Sequence, residues 1–143
     1  MVREEYSVSL KSIVEEQGLT VLHAAKDFDT ARVATADINR PALQLAGFYD
    51  YFDPKRLQLI GRVESTYLQT LGDEARLAAL ERFMRFDISA LILCHDTQPM
   101  PELMELAEKY DRNLLSTKED TSTFMADLIS MLRNAMAPRV TLH

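Results

Sequence analysis

Apolar positions along the 143-residue chain fall into short blocks that alternate between helical and extended spacing. Leu10, Ile13 and Val14 form a helical stripe that Ser9 can cap and Gly18 can end after about Gln17. Leu19 to Ala24 predicts a strand centred on Val21 and Leu22, Asp27 to Thr30 a turn, and Arg32 to Thr35 a short β-leaning segment. Pro41 to Ala46, ended by Gly47, starts as a helix, because the N–H that proline lacks has no partner at the first helical position anyway. Pro54 opens another helical turn, and Leu57 to Ile60 is a strand closed by Gly61. Glu64 to Leu71 is helical and stops at Gly72. Asp73 then caps a helix to about Phe86, with Leu77, Leu80 and Met84 on one face at i, i+3 and i+7.

The pattern changes at Ala90 to Cys94, five apolar residues with no polar alternation, which suits a strand covered on both faces. Pro101 to Tyr110 predicts a helix with Leu103, Leu106 and Ala107 inward and Glu105 paired with Lys109 at i,i+4. Asn113 to Ser116 is the next strand, and this strand–helix–strand unit predicts a right-handed parallel crossover. The last helix runs from about Asp120 to Met136, with Phe124, Leu128, Met131, Leu132 and Ala135 on one face. Pro138 ends it, and Arg139 to Leu142 begins a further strand. Such alternation argues for an α/β fold with a mostly parallel or mixed sheet.

Composition narrows the function classes. Acidic residues outnumber basic ones, 22 to 16, a net charge of −6, and the densest basic group (Arg76, Arg82, Arg85) is interleaved with Glu74 and Glu81. That is a solvated face, so nucleic acid is not an expected partner. No apolar run is long enough to span a bilayer, so no membrane partner is expected either. The N-terminus has no apolar signal core, and the single cysteine, Cys94, precludes an internal disulfide. A reducing compartment, the cytoplasm, is the expected location.

Chemistry is narrowed further by four glycines, Gly18, Gly47, Gly61 and Gly72, of which the closest pair is 11 residues apart. That spacing excludes a phosphate loop, a dinucleotide fingerprint and a serine-hydrolase elbow. One cysteine and three scattered histidines (His23, His95, His143) lack metal-ligand spacing, so no metal and no cofactor are expected in this chain. Ligands of open α/β sheets bind beyond the carboxyl ends of the strands. Those positions hold His23, then His95, Asp96 and Thr97, then Ser116 and Thr117. They either line a polar pocket or simply cap loops and helices. Arg40 either binds an anion at the start of its helix or pairs with Asp37 or Asp50. The segment Phe48-Tyr49-Asp50-Tyr51-Phe52 is either core packing, with Tyr49 and Tyr51 on one side and Phe48 and Phe52 elsewhere, or a stacking or partner surface.

The run from Asp37 through Asn39-Arg40-Pro41-Ala42-Leu43-Gln44-Leu45-Ala46-Gly47 to Phe52, then Arg56-Leu57-Gln58-Leu59-Ile60-Gly61-Arg62-Val63-Glu64, resembles the N-terminal domain of bacterial HPr kinase/phosphorylases. The later order, with Leu114-Leu115-Ser116-Thr117 after a strand and a helix, fits as well. The resemblance implies a three-layer α/β/α fold similar to the N-terminal domain of muramoyl-peptide ligases. It implies a non-catalytic, regulatory domain over 1–137, with 138–143 entering a C-terminal kinase domain. That domain would carry the phosphate loop and use ATP and Mg²⁺ to phosphorylate a serine of HPr, the phosphocarrier of the sugar phosphotransferase system. By motif, His143 takes the place of an active-site histidine and would be inert here. The implied partners are the chain's own kinase domain, HPr through the parent enzyme, and further copies in a hexamer.

Overall fold

A computed structural model describes residues 6–95 and 97–137. The elements in chain order are β1 (Val8–Ser9), α1 (Leu10–Gln17), β2 (Thr20–His23), β3 (Arg32–Val33), β4 (Ile38–Asn39), α2 (Ala42–Leu45), β5 (Leu57–Ile60), α3 (Arg62–Thr70), α4 (Asp73–Met84), β6 (Leu91–Leu93), α5 (Pro101–Tyr110), β7 (Leu114–Ser116) and α6 (Thr121–Met136). The expected strand at Arg139 to Leu142, with His143, lies outside the described residues, as does Asp96.

Five strands form one sheet in the order β2-β7-β6-β5-β4. β4, β5, β6 and β7 run parallel, with Ile38 beside Leu57, Leu59 beside Ile92 and Ile92 beside Leu115. β2 closes one edge antiparallel to β7, with Thr20 beside Ser116 and His23 beside Leu114. A separate two-stranded ribbon pairs Val8 with Val33.

Side-chain alternation on the central strands separates two cores. Leu57, Leu59, Ile92 and Leu115 face α1 and α6, meeting Leu10, Ile13, Phe124, Leu128 and Leu132. Ile60, Leu91, Leu93 and Leu114 face the other way and meet Leu45, Leu68, Leu80, Phe83, Leu103 and Leu106. Helices on both faces of a mostly parallel sheet make the three-layer α/β/α arrangement, and β6 is apolar throughout because both of its faces are covered.

Local signals explain most boundaries. The Ser9 hydroxyl accepts from the Ser12 N–H at 3.1 Å, and Gly18 ends α1 at φ 63°, a conformation that glycine adopts without a Cβ penalty. Four expectations need correction. Gly72, not Asp73, is the N-cap of α4, and Pro54 sits in a turn rather than a helix. Leu77 is 42 % exposed, because α4 buries Ala79, Leu80, Phe83 and Met84 instead. Lys109 pairs at 2.7 Å with Glu81 of α4, not with Glu105, since α5 packs side by side with α4.

The aromatic run is core packing, divided differently from the expectation. Tyr49 stacks on Phe86 at 4.8 Å and meets Phe52 edge-on at 5.7 Å, while Phe52 lies 5.9 Å from Phe83. Tyr51 and Phe48 turn outward. The segment is a turn with Tyr51 at φ 62°, so an extended chain's alternation does not apply.

Among the described residues, four carboxyls sit below the usual carboxylate range. Lys109 and then the Tyr110 hydroxyl hold Glu81 down, Arg76 holds Glu102, Lys55 holds Asp87, and the Thr123 hydroxyl holds Asp120. A group with a folded pKa below its unfolded one contributes stability that is complete above the unfolded value and lost as pH falls through the folded one. The urea midpoint should therefore fall as pH drops below roughly 4.5. The fall should be shallower in Glu81→Gln and weaker in high salt, and a midpoint independent of pH down to about 3 would contradict these pairings.

Candidate functional site

At the carboxyl ends of β4, β5 and β6, the backbone turns directly into helices or loops, and several polar side chains converge there. Asn39 ends β4 and Arg40 follows it. Gly61 follows β5 and starts α3, and His95 lies just beyond β6 at φ 68°. The N-terminus of α6 closes the ring. Together, Arg40, Arg62, Val63, His95, Thr121 and Ser122 line a shallow depression of about 190 Å³, with Asp120 at its edge.

Glu64 organises the depression from below. It is 2 % exposed, and its Oε1 accepts from the Gly61 N–H at 2.8 Å and from Arg40 Nη2 at 2.8 Å. The first bond is half of a capping box, in which a glutamate at N3 reaches back to the N-cap amide. The second holds Arg40 at the rim of the sheet, where the guanidinium is a third exposed. The Arg40 Nε is buried and has no hydrogen-bond partner among the described residues.

Gly61 is at this junction for steric reasons. A Cβ there would collide with the Thr121 hydroxyl and come within 2.9 Å of Arg40 Nη2. Its lack of a side chain lets the N-termini of α3 and α6 approach each other over the sheet. Gly61→Ala is expected to destabilise the domain by about 1–3 kcal/mol, the usual cost of overpacking. Urea unfolding measures this, and a change under roughly 0.5 kcal/mol, typical of a surface site, would refute the close contact.

Cys94 lies beneath the same junction, fully buried immediately after β6. Burial pushes its thiol up to about 11, against a partial pull downward from the Thr121 hydroxyl. That leaves roughly 100-fold less thiolate than an ordinary cysteine holds near neutral pH. A thiol reagent at pH 8 should therefore label Cys94 only as fast as the domain unfolds. Rapid labelling in the absence of denaturant would contradict the burial.

Of the residues expected to form a pocket, the structure brings Arg40 and His95 together and separates the other two. Because β2 is antiparallel, His23 lies at the opposite end of the sheet, where its Nδ1 is 2.9 Å from the Arg112 carbonyl. Ser116 is at the correct end, but it pairs with Thr20 and Leu93 away from the depression. Arg40 pairs with neither Asp37 nor Asp50: Glu64 takes it, and Asp37 lies 4.0 Å from Arg56. The residues missed were Arg62, Glu64 and Thr121. The signal for Glu64 was present, since Gly61-Arg62-Val63-Glu64 places a glutamate three residues into a helix that follows a strand-ending glycine.

Chemically, the depression offers two arginines, an imidazole and two helix N-termini, a setting that favours oxyanions. Glu64 and Asp120 already place carboxylates at those two helix starts. Among the described residues no group of three or more His, Cys, Asp or Glu could hold a metal ion. The fold and this depression are those of a three-layer α/β/α domain with a polar crevice at the carboxyl ends of its parallel strands.

Sequence comparison makes the assignment specific. The family model described as HPr Serine kinase N terminus matches residues 8–132, and the chain belongs to that family. It is similar to the HPr kinase/phosphorylase of Caldanaerobacter subterraneus subsp. tengcongensis, 37% identical over 136 residues. That match covers 95% of this chain and 44% of that protein. The HPr kinase/phosphorylase of Alkaliphilus metalliredigens is 35% identical over 137 residues, covering 96% of this chain and 44% of that protein. The chain thus spans less than half the length of these curated relatives. Among solved structures, it resembles the CBS and DRTGG domains of the regulatory region of Clostridium perfringens pyrophosphatase complexed with the activator diadenosine tetraphosphate. The TM-score is 0.63 at 17% identity over 94% of this chain and 52% of that one, a likeness of fold.

Proposed function

We propose that this chain is the non-catalytic N-terminal domain of a bifunctional HPr kinase/phosphorylase, in which it biases the balance between phosphorylation and dephosphorylation of a serine on HPr. The observation that carries this reading is the family match over 8–132, in a sequence whose glycines cannot form a phosphate loop. The ATP, Mg²⁺ and HPr chemistry then belongs to a C-terminal kinase domain, including the histidine at position 143. The parent enzyme works in the cytoplasm as a homo-oligomer and serves carbon catabolite regulation.

The test compares three proteins: the 143-residue chain, the full-length parent and the parent lacking 1–137. With HPr, ATP and Mg²⁺, the chain alone should transfer no phosphate and the parent should transfer it. The deleted parent should keep transfer but change its ratio of kinase to phosphorylase rate. Transfer by the isolated chain, or a ratio unchanged by the deletion, would defeat the proposal.

The convergence of Arg40, Arg62 and His95 favours a second reading, a sensor of a phosphorylated small molecule. A thermal-shift screen with inorganic phosphate, sugar phosphates and UDP-sugars tests it. A ligand at 100 times its dissociation constant adds about 2.7 kcal/mol of stability. The shift should vanish in Arg62→Ala, and no shift with any of these compounds would end this reading.

A further inference from the structure

The depression over the carboxyl ends of β4, β5 and β6 holds more donors than its own residues use. In α3 the first helical bond runs from the Ser65 N–H to the Gly61 carbonyl at 3.1 Å, and in α6 from the Phe124 N–H to the Asp120 carbonyl at 3.0 Å. The amides of Arg62, Val63, Thr121 and Ser122 therefore have no carbonyl within their own helices. All four residues line the depression.

Side chains add cations to these amides. Arg62 is exposed and has no hydrogen-bond or ion-pair partner among the described residues. Arg40 gives one end of its guanidinium to Glu64, while its Nε, buried in the wall, has no partner among the described residues. His95, at φ 68°, stands on a third side. Asp120 at the edge is engaged by the Thr123 hydroxyl, which holds its pKa down.

The shape of the depression selects among oxyanions. Gly61 and Thr121 touch beneath it, with no room even for a Cβ between them, so its floor is closed toward the sheet. Its volume of about 190 Å³ opens toward solvent. A phosphoryl terminus presents three acceptor oxygens, enough to reach both helix starts and both guanidiniums while its single ester bond points outward. A diester has two free oxygens and two substituents, and one of those substituents would meet the closed floor. Val63, 63 % exposed at the rim, offers an apolar rest for the body of an ester. We propose that the depression receives the terminal phosphoryl group of a phosphomonoester, gripped by Arg40, Arg62 and the amides at the starts of α3 and α6, with the carbon body of the ester on Val63. This deepens, and rests on, the reading of the site as a sensor of a phosphorylated small molecule.

The probes are phenyl phosphate, its diester methyl phenyl phosphate, and inorganic phosphate. Each is titrated into the isotope-labelled 143-residue chain slightly above neutral pH, where the monoester is mostly a dianion, and followed by backbone amide NMR. Phenyl phosphate should give saturable shifts at Arg62, Val63, Thr121 and Ser122. The diester should bind at least about 10-fold more weakly, the worth of one charge-assisted hydrogen bond. Inorganic phosphate should bind about 2- to 5-fold more weakly than the monoester for want of the contact with Val63, and Val63→Ser should remove that difference. Arg62→Ala should weaken phenyl phosphate about 10-fold, while Arg133→Ala, in the last turn of α6, should leave it unchanged. A diester or inorganic phosphate that binds as tightly as the monoester, with shifts at these residues, would overturn this inference and leave the sensor reading standing. Shifts centred elsewhere, an equal loss in Arg133→Ala, or no shifts with any probe at millimolar concentration would overturn both.

Discussion

Replacing Phe83 with alanine should lower the unfolding free energy by about 3–5 kcal/mol, the range for truncating a buried aromatic. Phe83 is fully buried in the core formed by α2–α5, and Phe52 packs on it at 5.9 Å. Its removal also takes support from the ring set of Tyr49, Phe52 and Phe86, which ties the turn after α2 to α4. Domains of this size hold only about 5–15 kcal/mol in all, so the variant should approach half-unfolding under mild conditions. The midpoint should fall by roughly 10 °C, at about 3 °C per kcal/mol. Phe83→Leu keeps most of the volume and should cost about 1–2 kcal/mol, as imperfect repacking does. Urea denaturation with unchanged m-values checks both variants. A loss for alanine no greater than for leucine would mean that the rings do not form the packed cluster.

The strands and helices that the sequence announced are those with a full period to display. β6 was legible because five apolar residues in a row leave no polar face, and α5 and α6 because their stripes extend over several turns. β1 and β4 span two residues each, too short to show alternation, and β4 was not anticipated at all. Strand direction is not written in side-chain pattern. β2 has the composition of its neighbours, yet runs against β7, and that reversal alone moved His23 to the wrong end of the sheet for a shared pocket with His95. Ion-pair choices failed for a related reason. Asp37, Asp50 and Glu105 were near Arg40 and Lys109 in sequence, whereas the true partners, Glu64 and Glu81, are 24 and 28 residues away and are delivered by packing. Short-range chemistry such as caps can be read locally, while convergence at a site depends on sheet order.

Removing the Glu64 carboxylate should therefore be the most informative change at the crevice. Glu64→Ala leaves the Gly61 N–H without an acceptor and Arg40 without its counter-charge. Breaking one side of a buried pair costs about 3–5 kcal/mol, and because Arg40 is a third exposed, water recovers part of that, so about 2–3 kcal/mol is expected. Glu64→Gln keeps a carbonyl oxygen for the Gly61 amide and should cost less. The double variant with Arg40→Ala should be no worse than Glu64→Ala alone, since no orphaned charge remains. The same substitution tests the electrostatics of the depression. With Glu64 gone, Arg40, Arg62 and the two helix starts face Asp120 alone, so an added oxyanion has an empty place to fill. Millimolar inorganic phosphate should then restore part of the stability of Glu64→Ala while leaving Glu64→Ala/Arg40→Ala unchanged. Equal stabilisation of both variants by phosphate would show that the anion acts on the whole surface and that Glu64 does not stand in for a bound anion.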